Sequence, residues 1–406
     1  MIFKRILFVT SDEYPFDGAS TNIIRTFFES ASFLNNYEKF VLAKKPISYK
    51  KIDSNNIIYY CDPILSDGLL DLARYKSKIL INFVKLLRII KALFQRKKAC
   101  DKRKTKTVYD ALVKNRHLDF DLIVTVMGGK FYESQAVLKF SKHYGIPFLL
   151  YQLDPCMNNE SEGFYNKKAR RHLETSLYKN ASQIITTPII YHLHSNDSLK
   201  KYLFKVSKME FPLVSDKTRR INKDNNEILC VFSGALYNPI RLPYYTVKLF
   251  EEVSKKINLK VVFVGRNCPS FNRFETSLNV VWKNSESRED VSQLLYESDF
   301  LINIGNTIRN QIPSKLFDYI SRGKPIINVC KFNDCPSLIY LTKYPLVLNI
   351  IEDDSKFNSN VKKLESFLIA QRNATVPFSI INKEYLECTT QYCSDIFNRI
   401  VAKCFK

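Results

Sequence analysis

Residues 299–329 read DFLINIGNTIRNQIPSKLFDYISRGKPIINV, in which two short apolar runs flank a polar loop and a helical pattern. The apolar runs at 300–305 and 325–330 predict buried parallel strands. Pro313 stands where a helix over about 314–322 is expected to begin, because its fixed φ suits the first turn and its missing N–H needs no partner there. The stretch therefore predicts a strand–helix–strand unit, the building block of a parallel sheet.

The same alternation extends along most of the 406 residues. Further strands are predicted at 6–10, 39–45, 56–61, 122–127, 148–153, 183–187, 228–234, 260–266, 279–284 and 346–351. Helices are predicted from Ser20 or Thr21, over 67–115, and near 131–143, 165–179, 189–204, 243–257, 288–298, 356–371 and 382–404. Strands separated by helices imply right-handed crossovers and mostly parallel sheets.

A polar stretch at 215–227, SDKTRRINKDNNE, interrupts the alternation and is interpreted as a domain junction. We therefore expect an α/β chain with two doubly wound Rossmann-like domains, 1–215 and 216–381, and a C-terminal helix, 382–406, that packs back on the first. The two domains are expected to face each other across a cleft, because ligand loops follow the carboxyl ends of the strands in each sheet.

Lysine and arginine exceed aspartate and glutamate by 22 charges, which favours a polyanionic neighbour: nucleic acid, an anionic membrane face or phosphate-bearing substrates. A solvated lysine-rich surface would also explain many of the lysines. The ten cysteines include no CxxC pair, and His192 and His194 stand at the wrong interval for one helix face, so no metal is assigned. Scattered thiols fit a reducing, cytoplasmic compartment. No signal peptide is expected, because the first apolar run is very short and turns acidic at Asp12 and Glu13. No transmembrane helix is expected, because no run approaches about 18 apolar residues.

The helix that begins near Pro313 is a candidate phosphate site, because free backbone N–H groups and the positive end of the helix dipole favour an anion. Pro313, Ser314 and Lys315 stand at this helix start, and Lys315 would add a full charge. Asp318, one turn further on, could accept hydrogen bonds from two ribose hydroxyls. These residues would together fit a nucleoside diphosphate. The alternatives are an ordinary Pro-Ser helix start, a solvent-facing Lys315 and an Asp318 that balances the dipole.

The stretch NQIPSKLFDYISRGKPII at 310–327 resembles the signature of family 4-like glycosyltransferases of the GT-B fold, especially those of surface-polysaccharide assembly. That signature has two acidic residues with seven others between them. The second corresponds to Asp318 and the first to Asn310, so the pattern is incomplete here. The resemblance implies that the residue at Asn310 contacts the donor sugar.

Two further stretches agree with this resemblance. VFSGALYNPIRLP at 231–243 is similar to the start of the family's donor domain, which implies that Gly234 lets phosphates approach the backbone and that Arg241 pairs with them. Arg241 could alternatively form a surface or interface ion pair. Gly265 and Arg266, after the next strand, are implied to belong to the same donor site.

The first domain offers acceptor-side candidates. ILFVTSDEYPFDGASTNII at 6–24 looks like the family's first strand and acceptor-side loop, with Gly18 where two glycines are more usual. Asp154 follows a predicted strand and could act as a base toward an acceptor hydroxyl, or simply shape an Asp-Pro turn. Gly128 and Gly129 could let a substrate approach the backbone, or could form a turn.

A basic amphipathic helix is predicted at 78–98, KILINFVKLLRIIKALFQRKK, where polar and basic residues recur every three positions among apolar ones. More cations follow, as far as Lys106. Such a helix can lie on an anionic membrane surface, which makes 78–106 a candidate membrane-binding segment. Alternatively, its apolar face packs on the sheet.

We therefore expect a glycosyltransferase that moves a sugar from a nucleotide-diphosphate donor to a glycan or lipid-linked acceptor on the cytoplasmic face of the membrane. The resemblance implies a retaining reaction in which Lys315, Arg241 and helix N–H groups neutralise the departing diphosphate. No cofactor is expected, since the sugar nucleotide is the substrate. The alternatives are a sugar-nucleotide epimerase of the same fold and a catalytically degenerate scaffold subunit. A nucleic-acid partner is not expected, because the basic residues form no recognised module with aromatics.

Overall fold

The computed structural model describes residues 4–14, 19–30, 33–34, 36–45, 56–61, 98–156, 166–219, 226–236, 238, 240–271, 279–284, 287–309 and 311–405. Gly18, Asn310 and the amphipathic stretch at 78–97 lie outside these residues. The chain forms two compact units, the first from Met1–Pro212 with Thr390–Lys406 and the second from Leu213–Thr389.

Strands and helices alternate through both units. The strands are β1 (Lys4–Val9), β2 (Tyr37–Lys44), β3 (Ile57–Tyr60), β4 (Leu122–Met127), β5 (Phe148–Gln152), β6 (Gln183–Thr186), β7 (Val206–Lys208), β8 (Ile228–Ser233), β9 (Leu259–Val264), β10 (Asn279–Lys283), β11 (Phe300–Ile304), β12 (Ile326–Cys330) and β13 (Val347–Ile351). The α-helices are α1 (Ala19–Glu29), α2 (Lys102–Lys114), α3 (Tyr132–Tyr144), α4 (Lys167–Asn180), α5 (Pro188–Ser195), α6 (Tyr244–Ser254), α7 (Arg288–Glu297), α8 (Lys315–Ser321), α9 (Pro336–Leu341), α10 (Phe357–Gln371), α11 (Phe378–Glu384) and α12 (Thr390–Lys403).

The first unit contains a parallel sheet in the order β3-β2-β1-β4-β5-β6-β7. Every residue of β4 and β5 is buried, as expected for strands with helices on both faces of the sheet. The chain builds outward from β1 through β2 and β3, and then from β4 in the opposite direction. The switch point of this sheet therefore lies between β1 and β4.

The second unit repeats this plan in a parallel sheet of order β10-β9-β8-β11-β12-β13. Its switch point lies between β8 and β11, which pair directly at Leu301 and Val231. The strands β11 and β12, which flank the segment quoted first, are buried along their whole length. The prediction of two doubly wound α/β domains is confirmed.

The C-terminal segment differs from the single helix predicted over 382–404. It contains α11, a short 3-10 turn at Leu386–Cys388, and α12. The break follows from tertiary packing, because Tyr385 is buried at 1% exposure and its hydroxyl donates to the carbonyl of Tyr340 at 2.7 Å.

The helix predicted near 189–204 is also interrupted. Helix α5 ends at Ser195, and a 3-10 helix occupies Lys200–Lys205. The side chain of Asp197 stabilises the break, because its Oδ1 accepts from the backbone N–H of Leu199 at 2.6 Å while its Oδ2 contacts His194 Nδ1 at 2.9 Å.

Helix α12 packs in the first unit through Phe397. The Phe397 ring stacks on Phe27 with centroids 4.4 Å apart and also contacts Phe8 and Phe33. The next residue, Asn398, accepts a hydrogen bond from the backbone N–H of Leu34 at 3.1 Å. The end of the described chain thus completes a core that its first hundred residues begin.

Candidate functional site

Two loops leave neighbouring strands at the switch point of the second sheet, one after β8 and one after β11. Arg241 joins them: its Nε and Nη2 donate to Oδ1 of Asn306 at 3.1 and 2.6 Å, and its Nη1 donates to the carbonyl of Ala235 at 3.2 Å. The backbone N–H of Thr307 also donates to the carbonyl of Ile240 at 2.8 Å. Arg241 is 8% exposed, so the alternative of a surface ion pair for this residue is wrong.

Gly234 and Gly265 end the neighbouring strands β8 and β9 and lie against each other. Gly265 has a φ of +138°, and a Cβ added there would lie 2.1 Å from the carbonyl oxygen of Gly234. The Gly234 N–H in turn donates to the carbonyl of Val264 at 2.9 Å. Only glycine suits the backbone of residue 265, and neither strand end carries a side chain at this contact. The Gly265 N–H donates to the carbonyl of Lys283 at 3.2 Å, so the N–H groups of both glycines are paired within the sheet. Arg266, the next residue, is exposed.

Helix α8 is fastened to the end of β8 by Tyr319. The buried Tyr319 hydroxyl accepts from the backbone N–H of Ser233 at 2.7 Å and donates to its carbonyl at 3.1 Å. Burial raises the pKa of Tyr319 above its usual value, so the hydroxyl stays protonated. Tyr319 therefore ties α8 to Ser233, the residue that precedes Gly234.

The start of α8 differs in detail from the prediction. The helix begins at Lys315, and Pro313 lies in the turn before it, where its carbonyl accepts from the N–H of Leu316 at 3.0 Å. Ser314 is the N-cap residue but makes no side-chain capping bond. The N–H of Phe317 donates to the carbonyl of Ser314 at 3.3 Å, so backbone carbonyls, and not the Ser314 hydroxyl, pair with the N–H groups of Leu316 and Phe317.

Asp318 lies at the centre of a cation cluster. Its Oδ2 is 3.1 Å from Lys315 Nζ, and its Oδ1 is 2.8 Å from Lys217 Nζ and 3.5 Å from Arg322 Nη2. Burial alone would raise the pKa of the Asp318 carboxyl, but the charges of Lys315, Lys217 and Arg322 outweigh it and hold the pKa well below its usual range. The cluster of one carboxylate and three cations has a net charge of +2, which suits an anionic ligand.

Lys217 is, with Arg322, one of two members of this cluster that were not predicted from the sequence. It falls in the polar stretch interpreted as a junction, where a lysine is expected to be solvated. Its neighbour Thr218, which donates to Asp216 Oδ1 from both its N–H and its hydroxyl, is the local sign that this stretch is a folded turn.

The switch point of the first sheet brings Gly128 against the start of α1. A Cβ on Gly128 would lie 3.0 Å from Ser20 Oγ, so the Ser20 side chain lies close to the backbone of Gly128. Lys130 Nζ lies 3.9 Å from Asp12 Oδ1 across the same switch point. Gly129 lies in the turn between Gly128 and Lys130 and is half-buried. These residues form the described part of the predicted acceptor side.

Asp154 lies in a bend just past β5, and its side chain is partly exposed. Its carbonyl accepts a hydrogen bond from Gln152 Nε2 at 3.1 Å. The bend is consistent with Asp-Pro turn chemistry, and the catalytic role of Asp154 stays a prediction.

A buried polar network supports this bend, and the sequence analysis missed it. Gln152 donates to Glu174 Oε1 at 2.7 Å and accepts from the Tyr178 hydroxyl at 2.6 Å. His194 Nε2 lies 3.4 Å from Glu174, and its Nδ1 lies 2.9 Å from Asp197. Desolvation alone would lower the pKa of His194, but hydrogen bonds and charges from Glu174 and Asp197 raise it above its usual value.

Comparison with protein-family models and with curated proteins finds no match. Solved structures do match over nearly the whole chain. The lipopolysaccharide outer core galactosyltransferase WaaB in its apo form has 13% identity and a TM-score of 0.53, with 98% of this chain and 99% of that one covered. A protein described as a UDP-N-acetylglucosamine 2-epimerase from Listeria monocytogenes has 8% identity and a TM-score of 0.56, with 100% and 97% covered. MnaA from S. aureus, solved with UDP, has 12% identity and a TM-score of 0.53, with 98% and 96% covered. At these identities the likeness concerns architecture: the chain has the GT-B fold.

Proposed function

We propose that this chain is a glycosyltransferase that takes its sugar from a nucleoside-diphosphate donor bound by the second unit. The observation that carries the proposal is the switch point between β8 and β11, where Arg241 bridges two loops beside Gly234, which has no side chain and packs against Gly265. In open parallel sheets, ligands bind at the switch point outside the carboxyl ends of the strands.

The donor's diphosphate would lie against the glycine turns and the first turn of α8, with Lys315 as its main cation. As the bond to the sugar breaks, negative charge develops on the leaving diphosphate, and fixed positive groups stabilise that charge. Arg241 holds the loops in position and, with the exposed Arg266, adds positive charge. Asp318 would accept hydrogen bonds from the ribose hydroxyls, and Asn310 would contact the transferred sugar.

The acceptor would lie on the first unit, near Gly18, Gly128, Gly129 and Asp154. We propose a glycan or lipid-linked acceptor and a retaining reaction in surface-polysaccharide synthesis. Two of the structural neighbours support a nucleotide-sugar substrate, because one is described as a galactosyltransferase and another was solved with UDP. The sequence signature around α8 supports the glycosyltransferase assignment independently.

A ligand screen tests the proposal first. Selective binding stabilises a folded unit by mass action, by about 2.7 kcal/mol at a hundred times Kd, so a thermal-shift screen with UDP, GDP, CMP and dTDP should identify one nucleotide. The matching sugar nucleotide should then give transfer to a panel of glycan and lipid-linked acceptors. A lack of stabilisation by all four nucleotides would contradict the proposal. Tight binding without turnover on any acceptor would favour a scaffold subunit instead.

A sugar-nucleotide epimerase is the second candidate, favoured by one structural neighbour and by the network of His194 and Glu174. Epimerases need acid and base groups beside the sugar, yet both side chains of this pair are no more than 3% exposed. Analysis of products from the sugar nucleotide, with and without acceptor, separates the two. An epimerase converts the donor alone, whereas a transferase needs the acceptor.

We also propose that the protein binds the cytoplasmic face of an anionic membrane. The candidate segment ends in the first turns of α2, and α2 and α3 together line a groove of about 470 Å³. Its lining is largely basic, with Lys102, Lys106, Lys139, Lys142 and His143 beside Thr105 and Tyr109. Near an anionic surface each lysine contributes about 1 kcal/mol. None of the helices within the described residues is both long enough and apolar enough to cross a membrane.

Liposome flotation tests this association. Vesicles with an anionic phospholipid should retain the protein at low salt, and Lys139→Glu with Lys142→Glu should weaken retention by about tenfold or more. The matched double change Lys362→Glu with Lys363→Glu affects two exposed lysines of α10 in the second unit and should leave retention unchanged. Equal retention of both variants would count against the groove.

A further inference from the structure

The segment 213–219, which enters the second unit, is held against the end of α8. The Ser321 hydroxyl donates to the carbonyl of Leu213 at 3.4 Å and accepts from the N–H of Ser215 at 3.2 Å. The N–H of Lys217 donates to the carbonyl of Ser321 at 3.2 Å. The backbone of Lys217 is therefore fixed by the same helix that carries Asp318.

Two more cations, one within this segment and one at the end of α8, lie against the same aromatic ring. The guanidinium groups of Arg219 and Arg322 lie 4.5 and 4.4 Å from the centroid of the Tyr296 ring. Such cation–π contacts hold a planar cation in place without neutralising its charge. Arg322 is 3% exposed, and its other contacts are Ser292 and Asp318. Within the described residues, Asp318 is the only carboxylate that contacts Lys217, Lys315 or Arg322.

Lys217 and Lys315 keep unused hydrogen-bond donors. An ammonium group has three N–H donors, and within the described ranges each of these two contacts a single acceptor residue, Asp318. Their side chains are 35% and 37% exposed, whereas Asp318 is 16% exposed. The two ammonium groups approach different oxygens of one carboxylate, and both remain accessible to a ligand that brings further acceptors.

We infer that Lys217 is an additional phosphate-binding residue of the donor site, which together with Lys315 holds the nucleotide's diphosphate. The assignment rests on the proposed function of the second unit. Asp318 holds both ammonium groups in place before the nucleotide binds. When phosphate oxygens replace Asp318 as the partners of the two lysines, the Asp318 oxygens become available to accept hydrogen bonds from ribose hydroxyls.

Isothermal titration of Lys217→Met against a matched control tests this assignment. The control is Lys256→Met, because Lys256 lies in the same unit and also has its Nζ 2.8 Å from one carboxylate oxygen, that of Glu365. The ligands are inorganic pyrophosphate and whichever of UDP, GDP, CMP and dTDP binds the unaltered protein most tightly. We expect Lys217→Met to weaken both affinities by about tenfold or more, Lys217→Arg to stay within about threefold, and Lys256→Met to change neither.

The outcomes separate the two ideas. Equal affinities of Lys217→Met and Lys256→Met for both ligands would overturn the role of Lys217 and leave the donor site standing. If the unaltered protein binds pyrophosphate but no nucleotide, and Lys217→Met loses pyrophosphate, Lys217 is a phosphate ligand and the proposed function fails. If the unaltered protein binds neither ligand, both ideas are wrong. Thermal unfolding of the two ligand-free variants provides the folding control.

Discussion

Single residues determine the charge of the proposed donor site, and Asp318 is the clearest case. Its carboxylate is the shared partner of Lys217, Lys315 and Arg322, which hold its pKa below the usual range. A carboxyl whose pKa is lower in the folded state stabilises the fold above its unfolded pKa, about 3.9, and loses that contribution as the pH falls below it.

Asp318→Asn should therefore destabilise the second unit in a pH-dependent way. At pH 7 we expect the free energy of unfolding to fall by about 1–3 kcal/mol, because three cations lose their common partner while the two lysines keep access to water. The difference from the unaltered protein should shrink below about pH 4, where the carboxyl becomes protonated in the unfolded chain. Denaturant unfolding at pH 7 and pH 3.5 measures this change; a difference that does not depend on pH would contradict it.

Gly265→Ala should distort the backbone next to the proposed donor site. The added Cβ meets the Gly234 carbonyl, and the φ of +138° is strained for alanine, so we expect a loss of about 3 kcal/mol or more and weaker nucleotide binding. Gly145→Ala is the control, since Gly145 has a φ of +73° but no atom within 4 Å of its added Cβ. That change should cost only about 1–2 kcal/mol, the cost of the left-handed backbone alone. Equal losses in the two variants would mean that the contact between the glycines is unimportant.

The site could be predicted in part from these residues. Sequence spacing indicated Lys315 and Asp318 on one helix turn, and the resemblance indicated Gly234, Gly265 and Arg241. Neither the spacing nor the resemblance could indicate Lys217, which lies 101 residues from Asp318 in the sequence and is brought to it by the fold. Contacts of this kind have no local signature in the sequence.

At the level of secondary structure elements, apolar runs indicated most of the strands, because strands buried on both faces contain few polar residues. Helix ends were harder to predict. The residues between α11 and α12 include no glycine or proline, and the break depends on the burial of Tyr385 under Tyr340. Tertiary packing overrides local helix propensity there.

His194 links α5 to Glu174 of α4, which also accepts from Gln152 of β5, and its raised pKa favours the charged imidazole. A histidine whose pKa is raised in the folded state stabilises the fold below its unfolded pKa, about 6.5, and the contribution is lost as the pH rises through the folded pKa. His194→Gln should therefore lower the free energy of unfolding by about 2–4 kcal/mol at pH 6 and by less at pH 9. Circular dichroism at the two pH values measures the effect; a larger loss at pH 9 would mean that the imidazole acts in its neutral form.

At the scale of the whole molecule, the two units have separate cores and a convenient reporter. The single tryptophan, Trp282, lies in the second unit and stacks on Phe263 with centroids 4.4 Å apart. Its fluorescence should therefore follow the unfolding of the second unit, while circular dichroism follows both units.

Two perturbations should act on different units. A bound nucleotide at a hundred times its Kd should stabilise the transition seen by Trp282 by about 2.7 kcal/mol. Phe397→Ala should weaken the first unit by about 3–5 kcal/mol, because it empties the aromatic cluster around Phe27. Denaturation followed by both signals tests this division. The opposite pattern, with the nucleotide shifting only the transition that Trp282 does not see, would place the ligand on the first unit.

The contact between Leu34 and Asn398 joins residues 364 positions apart, which has a consequence for the newly made protein. Ribosomes add about 5–20 residues per second, so the aromatic surface near Phe33 waits roughly 20–70 seconds for its covering helix to be translated. The intervening 213–389 unit can fold during this interval, whereas the first unit stays incomplete and prone to aggregation. A chain that ends just before residue 390 contains every predicted donor-site residue but lacks α12. We therefore expect it to aggregate or to remain bound to a chaperone.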